Sequence, residues 1–264
     1  MEAPHTSVGS PAPALAVALE SLRHARRILV FTGAGISTES GIPDFRGPQG
    51  VWKTRDPQRY TIQRYLAERE VRVERWQDRL ASRLTEAEPN AGHLAVTRLQ
   101  RAGLVRVVVT QNIDGLHQKA GTTNVIELHG TSAEAMCLEC ARRMPIDIVL
   151  DRVREGDLDP HCEICGGLLK TATISFGQAM IAADMDRALD EARGCDVCLT
   201  VGSTLSVWPA AAVPVETVRN GGRLLILNDG ATDLDGMATL LIPGRAGTVL
   251  PELTDALLGG GDSR

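Results

Sequence analysis

Short runs of aliphatic and β-branched residues recur along the chain, and nearly every position within a run is apolar. A strand with one face in water alternates apolar and polar residues, whereas a strand covered on both faces does not. The continuous runs therefore predict strands of a parallel sheet that is buried on both faces. They occupy residues 28–32, 105–110, 125–128, 197–201, 224–227 and 240–242.

Helical spacing separates these runs, as the stretch before the second run shows. A helix is predicted to begin near Pro89 and Asn90 and to end at Gly103. Its apolar face would consist of Ala91, Leu94, Ala95, Leu99 and Ala102. Alternating strands and helices predict the α/β class, with a Rossmann-like doubly wound parallel sheet. We assign residues 11–49, 89–132 and 171–256 to this Rossmann-like nucleotide-binding domain.

Two insertions interrupt the alternating pattern, and both chain ends lie outside it. Residues 50–88 are highly charged and carry one apolar helical stripe, so we expect a helical module that covers an edge of the sheet. The stripe consists of Ile62, Leu66, Val73, Trp76 and Leu80. Residues 133–170 lack a strong period and hold four cysteines. We expect a disordered N-terminal segment over residues 1–10 and a flexible tail over residues 257–264.

Composition and charge are those of an ordinary globular protein. The chain has 264 residues, of which 43% are hydrophobic and 23% are charged, with a formal net charge of −5. A net acidic chain has no global basic field for nucleic acid or for an anionic membrane, so we expect neither partner. The N-terminal region matches neither a signal peptide nor a membrane-spanning helix, which predicts a cytoplasmic protein.

Four of the six cysteines form two identically spaced pairs in the second insertion. Two residues separate Cys137 from Cys140, and two separate Cys162 from Cys165. Two such knuckles can present four thiolates to one tetrahedral Zn²⁺, and a closed site of this kind stabilises structure rather than catalysing a reaction. The alternative is four unrelated buried thiols, which would not require two identical spacings. His161 could join the site but is not needed for it.

A third pair, Cys195 and Cys198, has the same spacing in a different setting. It leads into the apolar run at residues 197–201. Residues three apart on an extended strand point to opposite faces, so these two sulfurs should not share a metal. We expect both to pack in the core.

Polar residues follow several predicted strands, at the end of the sheet where α/β proteins bind ligands. The second run is followed by Gln111, Asn112, Ile113 and Asp114, and the third run by His129. Small or amide-bearing residues follow other runs: Gly33, Ala34, Gly35, Gly202, Ser203, Thr204 and Asn228. Taken singly, Asn112 or Asp114 could be a turn former and His129 a structural histidine. Their joint placement favours a nucleotide site.

The stretch GAGISTESGIPDFRG, residues 33–47, begins like a dinucleotide-binding turn and then departs from it. That fingerprint requires a third glycine where this chain has Thr38, and then a helix where it has Gly41, Pro43 and Gly47. The departures weigh against a dehydrogenase that transfers hydride.

Taken together, these motifs resemble those of the sirtuin family. The shared motifs are residues 33–37, 41–47, 110–114, 129–130 and 202–205 and the two cysteine knuckles, and the likeness extends over about residues 22–253. The resemblance implies an NAD-dependent protein lysine deacylase that releases nicotinamide and O-acyl-ADP-ribose, with zinc as a second cofactor. An ADP-ribosyltransferase on the same scaffold is the main alternative, and a non-catalytic NAD-binding protein is a weaker one.

The resemblance also implies roles for individual residues. His129 would be the general base, and Asn112 would help to position ribose and water. Phe45 would lie over the reacting ring and exclude water, and Arg46 would help to order the loop and the phosphates. Asp114, with the main chain of Ile113, would anchor the nicotinamide. The full set of expected NAD contacts is Gly33, Ala34, Gly35, Thr38, Phe45, Arg46, Gln111, Asn112, Ile113, Asp114, His129, Gly202, Ser203, Thr204, Asn228 and Ala246.

The acyl-lysine peptide is expected to lie between residues 175–178 and 207–209, pairing as an added strand. The residues implied to contact it are Phe176, Gly177, Val207 and Trp208. This chain departs from the family pattern at Gln178, where many members have an acidic residue, and at residues 170–172.

The acyl group itself is expected to be neutral. Family members that favour succinyl or malonyl lysine carry a Tyr-x-x-Arg pair in the helical module, and the nearest counterpart here is Trp76 with Arg79. We interpret Arg79 as a solvated arginine on a charged helix, rather than as a partner for an acyl carboxylate.

Overall fold

The computed structural model describes residues 11–45, 47, 50–54 and 56–259. Within them the strands are β1 (Ile28–Thr32), β2 (Val105–Thr110), β3 (Val125–Glu127), β4 (Gly130–Cys137), β5 (Arg143–Pro145), β6 (Leu169–Thr173), β7 (Val197–Val201), β8 (Arg223–Asn228) and β9 (Leu240–Pro243). The α-helices are α1 (Pro11–Arg23), α2 (Ile62–Ala67), α3 (Arg69–Ala81), α4 (Ala91–Arg101), α5 (Leu116–Lys119), α6 (Ile146–Arg154), α7 (Ala182–Arg193), α8 (Ala212–Arg219) and α9 (Ala246–Leu258). Short 3₁₀ helices cover Ala34–Ser40, Val51–Lys53, Pro57–Tyr60 and Asp235–Met237. None of the helices in the described ranges is both long enough and apolar enough to span a bilayer.

Six strands form one parallel sheet in the order β3-β2-β1-β7-β8-β9, which confirms the predicted α/β class. Each of the six apolar runs is a strand of this sheet. Alternate residues of β1 enter two different cores. Val30 packs in a cluster with residues of α1, α4 and α9, whereas Leu29 and Phe31 pack in a cluster with residues of α7 and α8. Burial on both faces explains why the runs are apolar at nearly every position.

Strand β1 lies in the middle of the sheet, with neighbouring strands on both sides. Strands β2 and β3 extend it on one side, and β7, β8 and β9 extend it on the other. The loops that leave β1 and β7 therefore start side by side at the carboxyl end of the sheet. Such a switch point is where open α/β sheets bind their ligands.

Helix α4 is present, but its buried face is rotated from the predicted one. The Asn90 side chain caps the helix by accepting hydrogen bonds from the N–H groups of Gly92 and His93. Leu94, which we assigned to the apolar face, is 49% exposed. The buried positions are Gly92, His93, Ala95, Val96, Thr97 and Leu99. The prediction failed because this face includes a glycine and two polar residues, which an apolar pattern does not register.

The second insertion forms a small module around the cysteines. Strands β5, β4 and β6 make a three-stranded antiparallel sheet in that order, and α6 packs against β4. This sheet runs from Gly130 to Thr173. The module is therefore somewhat larger at each end than residues 133–170, the range that we predicted.

The first insertion packs against this small module, and our prediction that it covers an edge of the parallel sheet is wrong. Trp76 of α3 is 1% exposed and lies in one cluster with Val149 and Leu150 of α6. The other buried residues of that cluster all lie between residues 135 and 169. Leu66, which we placed on the apolar stripe, is 49% exposed. The helical stripe thus supplies part of the core that the cysteine module lacks.

Both chain ends extend beyond the described residues. Helix α9 continues to Leu258 and includes Leu257, which packs against the first core, so the predicted tail begins too early. Residues 1–10 and 260–264 are not among the described residues, and their predicted disorder stays a prediction.

Candidate active site and metal centre

Glycines let the loops after β1 and β7 touch at the switch point. A Cβ on Gly35 would lie 2.7 Å from Cα of Gly202, and one on Gly33 would lie 2.8 Å from the Gly202 carbonyl oxygen. Gly202 has φ of 61°, a conformation that favours glycine. The N–H groups of Gly33 and Gly35 already donate to the carbonyls of Val201 and Gly202. Contact between main chains therefore requires these glycines, in addition to the phosphate approach for which we predicted them.

Asn112, Asp114 and Ser37 form a hydrogen-bonded group beside these loops. Asn112 Nδ2 donates to the Gly33 carbonyl and to Ser37 Oγ, each at 3.1 Å. Ser37 Oγ donates to one carboxylate oxygen of Asp114 at 2.8 Å, and the N–H of Leu116 donates to the other at 2.9 Å. Asp114 is thus a turn former, as the alternative held, and also the partner of a serine from a different loop. Ser37 is a site residue that we had not selected.

A second layer of buried polar residues lies behind this group, and none of its members was among the predicted site residues. Thr32 Oγ1 donates to Thr110 Oγ1 at 2.8 Å, and Thr110 Oγ1 accepts from the N–H of Asn112 at 3.0 Å. Because Thr32 gives its one hydroxyl proton to Thr110, the 2.9 Å contact with His117 makes Nε2 of His117 the donor. The ring of His117 packs edge-on against His93 with ring centres 5.1 Å apart.

Both of these histidines are neutral at ordinary pH. Burial lowers the pKa of His117 to about 3 and that of His93 to about 4. His93 Nδ1 accepts from the N–H of Asn90, and its Nε2 lies 3.5 Å from Ser37 Oγ. The available sequence signal was their proximity along the chain to the capping residue Asn90 and to the polar motif that ends at Asp114.

His129 is half-buried just beyond the end of β3. Its Nδ1 lies 3.0 Å from the carbonyl oxygen of Gln111. A carbonyl only accepts, so Nδ1 carries the proton and Nε2 is the basic nitrogen. Burial lowers the pKa of His129, and the bond to Gln111 partly opposes this shift. The neutral imidazole is therefore the form present near pH 7.

The loop after β7 joins the same group through Ser203. Gln111 Nε2 donates to Ser203 Oγ at 2.9 Å, so the side chain of Gln111 reaches this loop while its carbonyl holds His129. Leu205, two residues after Ser203, is buried and adopts a positive φ of 56°. A bulky residue in the left-handed region stores strain, and such strain concentrates at functional sites.

Other predicted NAD contacts lie at the same end of the sheet, but their side chains form local hydrogen bonds that do not involve His129, Asn112 or Asp114. The Thr204 hydroxyl is 2.9 Å from Ser206 Oγ, and Asn228 Nδ2 donates to the Gly230 carbonyl at 2.8 Å. Thr38 Oγ1 donates to the Gly35 carbonyl at 3.0 Å. Ala246, at the start of α9, is 4% exposed and belongs to the first core. Arg46 lies outside the described residues.

Aromatic residues connect the loop after β1 to the expected peptide site. Phe45 is 43% exposed and stacks on Trp52 with ring centres 5.2 Å apart. Trp52 also contacts Tyr60 edge-on at 5.0 Å and Phe176 at 5.7 Å. Trp52 therefore lies between the residue expected at the ribose and a residue expected at the peptide.

The main chain around Phe176 is only partly available for an added strand. Its N–H donates to the Tyr60 carbonyl at 3.1 Å, and its carbonyl accepts from the N–H of Ile62 at 2.9 Å. Gln178 closes a turn, because its Oε1 accepts from the N–H of Ser175 at 3.0 Å. On the other side of the expected groove, Trp208 is 60% exposed and precedes a cis proline.

The four knuckle cysteines converge on one point in the small module. Sγ of Cys137 lies 3.5 Å from Sγ of Cys165, Sγ of Cys140 lies 3.8 Å from Sγ of Cys162, and all four lie within 4.8 Å of one another. A tetrahedral ion with bonds of about 2.3 Å separates its sulfur ligands by about 3.8 Å, so the residues fit zinc. Main-chain N–H groups, those of Cys165 and Ile164, lower the pKa of the Cys162 thiol to about 6, which favours the thiolate that a metal needs.

His161 takes no part in this group. Its Nδ1 lies 2.8 Å from the carbonyl oxygen of Gly166, and the cluster of metal-type ligands found in the described residues contains the four cysteines without it. The four-thiolate set that we predicted is thus brought together by the fold.

The model of the Sir2 family matches residues 33–209, more than half of the chain. The chain belongs to the Sir2 family. It is 40% identical over 243 residues to an NAD-dependent protein deacetylase of Thermodesulfovibrio yellowstonii, in an alignment that covers 90% of this chain and 93% of that relative. It is 42% identical over 235 residues to NAD-dependent protein deacetylase 2 of Streptomyces coelicolor, with 87% and 97% covered.

Solved Sir2 structures share the fold of this chain. A Sir2 variant with a deacetylated p53 peptide and 3′-O-acetyl ADP ribose matches it with a TM-score of 0.83 and 33% identity, over 94% of this chain and 98% of that one. A Sir2 structure with a p53 peptide and NAD⁺ matches with a TM-score of 0.79 and 33% identity, over 93% and 97%.

Within this Sir2 chain, Arg79 is not the solvated arginine that we predicted. It is 8% exposed, and its Nη2 donates to the Ser132 carbonyl at 3.1 Å. The prediction was wrong because the small module covers the side of α3 that carries Trp76 and Arg79, and the sequence of one helix does not show this contact.

Cys195 and Cys198 are buried, as their sequence context predicted, but their sulfurs do not lie on opposite faces of the sheet. Both residues belong to the second core, where Cys195 Sγ lies 3.2 Å from the Thr217 hydroxyl and Cys198 Sγ lies 3.8 Å from the Thr200 hydroxyl. Cys195 precedes β7, so the geometry of an extended strand does not apply to it.

Proposed function

We propose that this protein is an NAD-dependent protein lysine deacetylase. The curated relatives that it resembles at 40–42% identity are named as such enzymes, and one similar Sir2 structure contains a peptide with NAD⁺. The observation that carries the proposal is the state of His129. Its Nδ1 is bonded to the Gln111 carbonyl, which leaves Nε2 as a base beside the Asn112 and Asp114 group.

NAD would be consumed as a substrate at the carboxyl end of the sheet. In the reaction class, the acyl oxygen of the modified lysine attacks the ribose carbon from which nicotinamide leaves. His129 Nε2 would accept a proton from the ribose, so that its hydroxyl can take up the acyl group. Asn112 and Gln111 would orient the ribose and water, and both are already fixed by hydrogen bonds at 2.9–3.1 Å.

The remaining contacts surround the same ligand. Asp114 and Ile113 would hold the nicotinamide amide, and Phe45 would exclude water from the ribose. Arg46 would help to order the loop and the phosphates. The phosphates would approach the loops after β1 and β7, and the adenosine would lie towards β8 and α9. These contacts would come from Gly33, Ala34, Gly35, Thr38, Gly202, Ser203, Thr204, Asn228 and Ala246.

Zinc would be held by Cys137, Cys140, Cys162 and Cys165. Four thiolates close the coordination shell, so the ion would stabilise the small module and would not touch the substrate. These thiols must stay reduced to bind a metal, and we accordingly propose a cytoplasmic location.

The peptide would lie between residues 175–178 and 207–209, contacting Phe176, Gly177, Val207 and Trp208. Because the main-chain groups of Phe176 are already paired with Tyr60 and Ile62, the peptide would pair mainly with Gly177 on that side. Acyl groups without charge are proposed, since the one guanidinium that we compared with an acyl-carboxylate partner, that of Arg79, is hydrogen-bonded to Ser132.

A panel of acyl peptides with NAD tests this proposal. We expect nicotinamide release that depends on the peptide and is fastest with acetyl-lysine. A succinyl peptide that turns over much faster than the acetyl one would contradict the proposed acyl preference. Nicotinamide release that is the same with and without any acyl peptide would contradict the deacetylase function.

A further inference from the structure

We propose that Arg79 is a positioning residue for the active site, which holds the segment 129–132 in place through the carbonyl of Ser132. The inference rests on the deacetylase function proposed above. It assigns a role to a residue of the helical module, residues 50–88. None of the predicted catalytic or NAD-binding residues lies in that module.

Arg79 is buried in a way that packing does not explain. It is 8% exposed, and its Nε is buried without a hydrogen-bond partner among the described residues. Burial lowers its pKa, and the charge of Asp147 partly opposes this shift. Removing a guanidinium from water is unfavourable unless its donors are well paired, so an apolar side chain would fill this space at lower cost. The one hydrogen bond that the Arg79 side chain makes in the described residues, to the Ser132 carbonyl, is the feature that an apolar residue would lack.

That bond leads directly to the active site. Ser132 is 5% exposed, and its N–H donates to the Ile113 carbonyl at 2.9 Å. Ile113 lies between Asn112 and Asp114 in the chain, and Ser132 is three residues beyond His129. Ser132 therefore bonds to α3 on one side and to the predicted nicotinamide-binding segment on the other. Fixing Ser132 fixes the spacing between the base and that segment.

Arg75 offers a matched control on the same helix, one turn earlier. Its Nε is also buried without a partner in the described part of the chain. Its guanidinium, however, lies 3.5 Å above the ring centre of Tyr60 and forms an ion pair with Asp78 at 3.2 Å. Among the described residues, the contacts of the Arg75 guanidinium thus stay within the helical module, whereas the hydrogen bond of Arg79 crosses to residues 129–132.

The test compares Arg79→Met, Arg79→Lys and Arg75→Met with the unchanged protein, using acetyl peptide and NAD. Misplacement of reacting groups by about 1 Å can cost up to about 100-fold in rate, so we expect Arg79→Met to lower kcat at least about tenfold. The KM for peptide should change little, and inhibition by added nicotinamide should weaken. Arg79→Lys should recover part of kcat, because an ammonium can still donate to the Ser132 carbonyl. Arg75→Met should keep kcat within about twofold.

The outcomes distinguish a positioning role of Arg79 from a structural or substrate-binding role and from failure of the proposed function. Equal losses of kcat in Arg79→Met and Arg75→Met, or no recovery in Arg79→Lys with an unchanged thermal midpoint, would overturn it. A loss confined to succinyl peptides would overturn it as well, since it would make Arg79 a substrate-binding residue. Absence of peptide-dependent turnover by the unchanged protein would instead reject the proposed function, and the inference would fail with it.

Discussion

One main-chain carbonyl determines the chemical state of His129. The Gln111 carbonyl accepts from Nδ1, which leaves the lone pair of Nε2 free for the proposed role as a base. Gln111 is itself held by Ser203 through its side chain at 2.9 Å. The orientation of the His129 imidazole therefore depends on loops from two different strands of the sheet.

The pH dependence of deacetylation should report the burial of His129. Because burial lowers its pKa, the imidazole stays neutral to a lower pH than an exposed histidine, whose pKa is 6.5. We expect kcat at saturating substrate to fall as the pH decreases, with a midpoint below 6.5. A midpoint above 6.5 would contradict the assignment.

Replacing the base is the companion test. His129→Ala should lower kcat for deacetylation by about 10²- to 10⁴-fold, the range typical of a general base. Zinc content and thermal midpoint should match those of the unchanged protein. The imidazole makes one hydrogen bond in the described part of the chain, and losing it should leave the core intact. Retained activity would refute the role of His129.

The sequence identified residues whose spacing carries information and missed those whose contacts come from the tertiary fold. Asn112, Asp114 and His129 follow predicted strands, so their convergence could be expected. His117 reaches Thr32, a residue 85 positions earlier, and no local pattern shows that contact. Arg79 was misjudged for the same reason, because the surface that buries it belongs to another module.

At the scale of elements, strands were easier to predict than the faces of helices. A strand buried on both sides is apolar throughout, and this pattern does not depend on its neighbours. The buried face of α4 includes Gly92, His93 and Thr97, since it packs close to α9 and to the polar layer behind the site. Polar residues that are buried with hydrogen-bond partners shift the apparent phase of an amphipathic helix.

Strand β6 carries a second buried cation. Lys170 is 5% exposed, and its ammonium donates to the carbonyls of Thr171 and Thr173. Burial lowers the pKa of Lys170 to about 8. Thr173 pairs with Gly130, the residue after His129, so this strand connects the small module to the segment that holds His129.

The stability of the protein should increase with pH through Lys170 when it is compared with a Lys170→Met variant. The folded pKa of about 8 lies below the ordinary value of 10.5, so between these values the unfolded chain binds more protons than the folded one. The free energy of unfolding should therefore rise over this window, by at most about 3 kcal/mol relative to the variant. Urea unfolding of both proteins at pH 7 to 10 measures the difference. If the free energy of unfolding changed with pH in the same way for both proteins, the lowered pKa of Lys170 would be contradicted.

Removing zinc should unfold the small module before it affects the parallel sheet. Structural zinc sites contribute on the order of 10 kcal/mol to folding, and this module has only a small core of its own. Chelation should lower the thermal midpoint of a first transition and abolish deacetylation indirectly, because β4 begins directly after His129. Hydrogen exchange should then increase in residues 130–173 more than in β1 or β7. Uniform exchange, or full activity of the metal-free protein, would contradict this account.

At the scale of the whole molecule, the proposed active site lies where the parallel sheet and the small module meet. The parallel sheet supplies the loops after β1, β2 and β7, while His129 stands between β3 of that sheet and β4 of the small one. The helical insertion reaches this junction through α3. The architecture of the parallel sheet could be predicted because alternating strands and helices have few arrangements. The docking of the two insertions on each other could not, because it depends on complementary surfaces that neither segment shows alone.

The products of one reaction test the central claim most directly. The protein is incubated with NAD and an acetylated peptide, and the mixture is analysed by mass spectrometry. A deacetylase of this family should yield nicotinamide, deacetylated peptide and O-acetyl-ADP-ribose in equal amounts. Transfer of ADP-ribose to protein or water, with the acetyl group still on the peptide, would contradict the account and favour an ADP-ribosyltransferase.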